Sequence, residues 1–336
     1  MMTKAHSMLA YADAAWQQTS AADLRAFAIL AAFALLFAWE ARRGYRKTPP
    51  KTSRQSYLSN LGTFLLNDTL MSLMSVSALL LLAEKVSRKG LLDWFPDSFA
   101  KTALSLLLFD LTLYLWHRAN HTFDRLWMFH KVHHSDPSMN VSTAFRLHFV
   151  EVVFTTLVKA AFVIVTGVEA AVLLANEAVI TMMVMFHHAN IRFKGERLLG
   201  HLLIVPRLHR VHHSTLRKEH DNNYGAVFSV WDRLFGSFAE GEPVTIGLES
   251  VPGQGVLELV RYGLTCGWTP KPQPAAAAAT PFSEKQFLDT MIAEAAYYRA
   301  ERRGFAPGND FLDWLEAERE IRSRQEGKPG SSTLAG

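Results

Sequence analysis

Residues 117–134 read HRANHTFDRLWMFHKVHH: five histidines in eighteen positions, directly after the apolar run Ala103–Trp116. On a helix, His117 and His121 share one side, and His130, His133 and His134 stand at i, i+3 and i+4, again on one face. His209, His212 and His213 repeat the second spacing. Thirteen of the fourteen histidines lie between His117 and His220, with only His6 outside. A lone imidazole beside an apolar surface is ordinarily a hydrogen-bonded core residue. Three groups whose ring nitrogens can converge are different, because desolvating so many imidazoles together is costly unless something binds them. The pattern points to metal ligation.

The surrounding sequence supplies the fold class. Apolar runs occupy Ala26–Trp39, Tyr57–Leu82, Ala103–Trp116 and Phe149–Met185, the last long enough for a helical hairpin. Two of these runs fall short of the roughly 20 residues that a spanning helix needs, and Asn67, Asp68, Asp110, Glu151, Lys159, Glu169 and Glu177 interrupt or flank the others. Buried helices of a large soluble protein would also produce such runs. Charge distribution favours the membrane: Arg42, Arg43, Arg46, Lys47, Lys51 and Arg54 follow the first run, and the positive-inside rule puts that loop in the cytoplasm. Counting crossings from there returns the segment after Trp116 to the cytoplasm. The expected architecture is an all-α, multispanning membrane helical bundle with a cytoplasmic, histidine-rich, di-metal helical cap and a small C-terminal helical appendage.

Composition narrows the chemistry. The chain has 336 residues, 49% of them hydrophobic, enough for a large core and for two domains. Lysine and arginine exceed the acids only by 35 to 31, which gives no reason to expect a nucleic acid partner and suits a cytoplasmic membrane surface. Cys266 is the only cysteine, so this chain alone makes no internal disulfide, thiolate zinc cluster or iron–sulfur cluster. Any metal uses nitrogen or oxygen. The N-terminus is expected to be retained, since Lys4 is followed by the polar residues Asp13, Gln17, Gln18 and Asp23 rather than by a signal-peptide core. The expected organisation is membrane helices over 1–100, a catalytic domain over 101–240, a linker over 241–281 and a helical domain with a polar tail over 282–336. The Pro/Ala-rich PKPQPAAAAATP at 270–281 marks the linker.

The eight histidines of the three groups exceed the four ligands of one tetrahedral site, so two metals are the natural number. The zincin H-E-x-x-H is absent, because HRANH carries Arg118 where a glutamate base would stand, and no Glu-x-x-His of ferritin type occurs. Imidazole alone does not distinguish iron, copper and zinc. Asp110 lies two turns before His117 on the same face, where it would hold the outer nitrogen of a ligating histidine. Pairing with another helix is the competing role.

The order HX3H, eight residues, HX2HH and a later HX2HH resembles the membrane fatty acid hydroxylase and sterol desaturase superfamily. The resemblance runs from about Leu104 to Phe238 through DLTLYLWHRANH, WMFHKVHHSD, FRLHFVE, HHAN at 187–190, PRLHRVHHS and NNYGAVFSVWDRLFGSF. It implies a non-haem di-iron centre held by His117, His121, His130, His133, His134, His188, His209, His212 and His213, with His148 either an outer ligand or a structural residue. His188 is chosen over His187 because it precedes Ala-Asn as the family's histidine precedes Ser-Asn. His187, His201 and His220 are assigned non-ligand roles, and Arg146, Glu151, Asn190, Asn223, Tyr224 and Asp232 fall in family-like stretches without assigned roles. At the C-terminus AYYRAERRG followed by DFLDWLEAERE resembles a short bacterial family of unknown function.

The resemblance further implies two iron ions, dioxygen as co-substrate, a membrane lipid substrate and a multi-pass protein of the bacterial inner membrane whose site faces the cytoplasm. An unactivated C–H bond offers neither an acidic proton nor a carbonyl, so an oxidising metal centre must carry the hard step. No G-x-G-x-x-G nucleotide fingerprint occurs, and electrons are expected from a separate reductase with a ferredoxin, cytochrome or flavoprotein. Hydroxylation of an acyl chain, an ornithine lipid or another polar lipid is the first reading; lipid or sterol desaturation is the second. A metal-binding membrane scaffold and a zinc hydrolase are readings from other classes.

Overall fold

The computed structural model describes residues 21–73, 79–249, 251 and 254–265, together with scattered positions between 292 and 309 and the helix at 310–326. The polar N-terminal segment with His6, the Pro/Ala-rich stretch 270–281, Cys266 and the polar tail lie outside the described residues. The chain divides into two compact units after Trp268. Among the described residues the structure is helical, with two isolated β-bridges, Leu203 to Phe228 and Ser214 to Ile246.

In the first unit α1 covers Ala21–Arg43, α2 Pro50–Leu73, α3 Leu79–Val86, α4 Phe99–Thr122, α5 Asp124–His134, α6 Phe149–Thr166 and α7 Ala170–His188. Four described helices are long and apolar enough to cross a membrane: Asp23–Arg43 within α1, and α4, α6 and α7. The described residues of the run expected at Tyr57–Leu82 fall in α2 and α3, and residues 74–78 lie outside the described residues. On α2 the buried face is polar, formed by Ser56, Ser59, Asn60, Thr63 and Asn67, while Leu58, Leu61, Phe64 and Leu65 are exposed. That inversion fits a helix in an apolar medium, where polar groups turn inward to find partners. Asn60 Nδ2 finds Asp136 Oδ2 at 2.9 Å and Ser142 Oγ at 2.9 Å, and Asn67 Nδ2 donates to Leu147 O at 2.9 Å.

The apolar core between α3, α4, α6 and α7 contains Ala83, Phe109, Leu113, Phe162, Val163, Leu173 and Ile180. A second cluster packs Ile29, Phe33 and Leu36 of α1 on Val141, Met185 and Ile191. One close backbone crossing secures α6: Gly167 ends that helix at φ +65°, and a Cβ on Gly90 would lie 2.3 Å from the Gly167 nitrogen. Only glycine fits there.

The remaining helices are short: α8 Glu196–Leu199, α9 Pro206–His212, α10 Arg217–His220, α11 Val230–Leu234 and α12 Val256–Gly263. The described residues between 241 and 265, a stretch expected as the first part of a linker, bond to the rest of this unit. Gly247 N donates to His213 O at 3.0 Å, Gln254 Oε1 accepts from Arg146, and Lys131 Nζ donates to Thr265 O at 2.7 Å. In the second unit, helix α13 (Asp310–Glu326) sets Ala317 and Ile321 against Ile292, Ala295 and Ala296, and Arg299 pairs with Glu316 and Glu320.

Candidate metal centre

The site is assembled from four helix ends. Helix α4 brings His117 and His121 in its last two turns, and a single extended residue, Phe123 (φ −103°, ψ 119°), ends it and starts α5. That one-residue joint turns His130, His133 and His134 of α5 back toward α4. His188 is the last residue of α7; Pro206 starts α9 at a position where its missing N–H costs nothing. His209 and His212 face inward from α9 and His213 caps it. Arg210 turns away, donating to Ile191 O at 3.0 Å beneath the ring of Tyr45.

Nine histidines form two groups, each with ligand-capable nitrogens within 4.8 Å of one another. The first holds His117, His121, His130, His134 and His212; the second holds His133, His188, His209 and His213. Each H-x-x-H-H box is therefore split. Its first and last histidines, four apart, enter one group and the middle one enters the other. The expectation that each box aims at a single point is corrected: residues i and i+4 nearly eclipse along a helix, whereas i+3 points to the other side of that line. The His134 and His213 rings stack at 4.5 Å between the groups.

Hydrogen bonds on the outer nitrogens fix the ring tautomers. His117 Nδ1–H donates to Tyr224 O (2.8 Å), His121 to Asp221 Oδ1 (3.2 Å), His130 to Glu151 Oε1 (2.7 Å) and His212 to Asn222 O (2.7 Å), while in the second group His188 donates to Val184 O (2.7 Å). In a neutral ring, each Nε2 is then a bare lone pair. His117 and His130 Nε2 nonetheless stand 3.1 Å apart, and His188 Nε2 lies 3.0 Å from Nε2 of both His133 and His209. Nε2 of His121 and His212 and both ring nitrogens of His134 and His213 are buried without any hydrogen-bond partner. Burial and the neighbouring imidazoles push His133, His134, His209, His212 and His213 well below the ordinary histidine pKa. The converging lone pairs of His117 and His130 repel one another, and each buried nitrogen left unpaired costs about 1–3 kcal/mol. A cation within each group removes these penalties, so the donor set fits two metal ions with all-nitrogen ligation.

One loop supplies three of the acceptors to the first group: Asp221, Asn222 and Tyr224. It is fastened from behind. Asn223, at φ +56°, donates to Leu208 O and Ala239 O. Asp232 accepts from Tyr224 N and Gly225 N, and burial raises its pKa to about 6 against the opposing pull of those bonds. Asp110 accepts from Val227 N, Phe228 N and Trp231 Nε1 at 2.8, 3.1 and 2.9 Å. The carboxylate expected to hold a histidine thus holds the loop, and the outer nitrogen of His117 is met by Tyr224.

The other histidines fall outside the two groups. His148 uses both nitrogens structurally: Nδ1 accepts from Val150 N at the start of α6, and Nε2–H donates to Val260 O. His201 is exposed, His187 lies against His209 with ring centroids 3.9 Å apart, and His220 stacks on Trp127. His220, Asp221 and His121 make a further potential cluster that shares His121 with the first group.

Arg146, fully buried, donates to Val132 O, Ser135 Oγ and Asn60 Oδ1, holding the end of α5 to α2. Beside it, burial alone would raise the Asp136 pKa, but the Arg146 charge and bonds from Asn60, Thr143 and Ser138 outweigh it and hold the carboxylate below its ordinary range. Asn190 joins the end of α7 to residue 46 through a reciprocal pair of bonds.

A cleft of about 180 Å³ opens beside the histidines. His117, His130, His133, His188 and His209 form one end, and Leu113, Trp116, Leu147, Ile180 and Val184 form apolar walls running between α4, α6 and α7.

Residues 102–237 match the fatty acid hydroxylase family and residues 288–323 match a family of unknown function, DUF2934. An ornithine lipid hydroxylase from Rhizobium tropici is 32% identical over 146 residues, which is 44% of this chain and 44% of that protein. Alkylglycerol monooxygenases from Xenopus tropicalis and Homo sapiens are 33% and 34% identical over 148 and 142 residues, covering 43% and 41% of this chain and 32% and 31% of theirs. The chain thus spans less than half the length of these relatives. No solved structure is significantly similar to it. The segment matched to the fatty acid hydroxylase family carries all nine clustered histidines.

Proposed function

We propose that this protein is a membrane-bound, dioxygen-dependent oxygenase that hydroxylates a lipid at a histidine-ligated two-iron centre. The observation that carries the reading is the pair of buried groups whose Nε2 nitrogens converge to about 3 Å at the end of an apolar cleft. The relatives' names, a lipid hydroxylase and monooxygenases, favour hydroxylation over desaturation.

His117, His121, His130, His134 and His212 would hold one ion, and His133, His188, His209 and His213 the other. When bound, reduced iron supplies activation of dioxygen and the oxidising power to break an unactivated C–H bond. The protein's own residues do the rest. Glu151 and Asp221 keep the rings of His130 and His121 oriented and electron-rich through their Nδ1–H bonds. Tyr224, Asn222 and Val184 do so for His117, His212 and His188 through backbone carbonyls. Leu113, Ile180 and Val184 give an alkyl chain a dry path to the histidines, and burial excludes water from the reacting end. Electrons come from a separate redox protein. The basic segment 42–54 supports placing the histidine cap on the cytoplasmic side of a bacterial inner membrane.

The test compares membrane lipids of cells expressing the wild-type chain or His133→Ala, grown in air. A lipid gaining one oxygen only with the wild type is the expected result. A lipid losing two hydrogens would make the protein a desaturase, and an unchanged lipid profile in cells supplied with a matched reductase would refute oxidation.

A further inference from the structure

Helix α4 lines the cleft with Leu113, Trp116, His117 and Asn120, residues three or four apart that share one face. The stripe begins apolar and ends polar, and Asn120 comes last, about 4.5 Å along the helix beyond His117. Three polar groups on the α6 wall are already engaged: Glu151 with His130, Thr155 Oγ1 as acceptor from Trp116 Nε1 at 2.9 Å, and Lys159 with Glu177. Asn120 differs. The residue is only 2% exposed, and among the described residues its amide has no hydrogen-bond partner. Yet neither amide atom is closed to water, as Nε2 of the adjoining His121 is. What exposure Asn120 keeps therefore lies at the amide, and the space that the amide meets is the cleft.

The fold has no need of an asparagine there. Asparagine is a poorer helix former than alanine, because its side chain competes for backbone hydrogen bonds, and on α4 it makes none. An amide set into a dry wall without a partner also costs stability, unless a ligand supplies the partner. The carboxylate and ammonium that line the cleft, Glu151 and Lys159, are both paired, so the group that meets Asn120 is uncharged. An amide offers Oδ1 as acceptor and Nδ2 as donor side by side, and a hydroxyl both donates and accepts at one atom. An ether or ester oxygen accepts from Nδ2 but leaves Oδ1 without a donor.

We propose that Asn120 is the subsite for a hydroxyl carried by the lipid substrate, and that it fixes which carbon reacts. Leu113, Trp116 and the walls from α6 and α7 hold the alkyl chain, His117 stands next along the stripe, and the hydroxyl reaches past it to Asn120. The carbon beside the histidines is then a few bonds from the hydroxyl, a span of about 4.5 Å as between residues 117 and 120 along α4. The inference rests on the cleft being the lipid site. It adds a substrate class and a position of attack: lipids whose hydroxyl lies close to the oxidised carbon, rather than chains oxidised far from any polar group.

The experiment uses the purified full-length chain in detergent micelles, loaded with zinc so that no probe is turned over. Two photoactivatable single-chain lipids are compared, an alkoxyethanol and its methyl ether, each with a diazirine at the far end of the chain, and labelling is mapped by peptide mass spectrometry. The wild type is expected to be labelled on the cleft-lining segments of α6 and α7, with a preference for the hydroxyl probe about tenfold greater than in Asn120→Leu; partition into micelles cancels in that comparison. Asn120→Ala, which removes the amide without adding bulk, is expected to lose the preference too, and both variants to bind zinc as the wild type does. The same preference in the wild type and the variants, or chain-end labelling on the peptide that carries Asn120, overturns the subsite while leaving the lipid cleft intact. Loss of zinc from both variants overturns it as well, because Asn120 would then serve the metal. No cleft labelling by either probe overturns the subsite and the lipid cleft together.

Discussion

Glu151 offers the sharpest perturbation. Its Oε1 lies 2.7 Å from His130 Nδ1, the side chain is 6% exposed, and the other carboxylate oxygen is buried without a partner. The carboxylate therefore acts almost wholly on one ring of the first histidine group. A hydrogen bond to a charged group is worth about 1.5–3 kcal/mol, and loss of such a partner behind a ligating histidine typically costs 10–100-fold in metal affinity. Glu151→Ala is expected to lower the affinity of the first group toward the upper end of that range. Glu151→Gln, which keeps an acceptor but not the charge, is expected to lower it about tenfold. Chelator competition on iron-loaded protein resolves two binding steps, and only one should weaken, because the second group makes no contact with Glu151. Equal weakening of both steps, or unchanged affinity in Glu151→Ala, would refute the division of the histidines into two separately supported groups.

Removing Asp232 by substitution with Ala should release Tyr224 and Gly225 from behind and weaken the same binding step, read in the same competition assay; weakening of the other step would contradict the loop's assignment to the first group. Asp136→Ala deprives Ser56, Asn60 and Thr143 of their acceptor and leaves buried Arg146 without its countercharge, so stability should fall by about 3–5 kcal/mol in detergent unfolding, with a smaller loss for Asp136→Asn. In metal-free protein His133, His134, His209, His212 and His213 stay neutral when folded but regain an ordinary pKa near 6.5 when unfolded. The unfolded chain then binds protons first, so stability is full above about pH 6.5 and is lost as the pH falls below it; equal melting temperatures at about pH 7.5 and 5.5 would contradict this. Truncation after Trp268 removes none of the nine histidines and is expected to leave metal content per chain unchanged.

The histidines were legible because their spacing is short-range: helical periodicity alone puts 117 with 121 and 209 with 213 on common faces. The split of each box between two groups was not, since it depends on how α5 and α9 face each other across the site. His148 has the composition of a ligand and the surroundings of a cap; only the positions of Val150 and Val260 decide between them. Asp110 was recognisable as a buried carboxylate near His117, yet its partners lie more than a hundred residues away and carry no local signature. The backbone acceptors Tyr224 and Asn222 are invisible to residue type altogether. Val184 was within reach of sequence reasoning, because a histidine side chain ending a helix can donate back to the second lone pair of the carbonyl one turn earlier. The polar stripe that α2 buries was not legible in the run at Tyr57–Leu82, because average hydropathy hides it.

Iron content of the purified full-length chain, loaded anaerobically and freed of loosely bound metal, tests the central claim most directly. Two separately supported histidine groups predict about two iron ions per chain in the wild type and about one in Glu151→Ala after mild chelation. A single ion in the wild type, or none retained, would contradict the two-metal centre on which the proposed oxygenase depends.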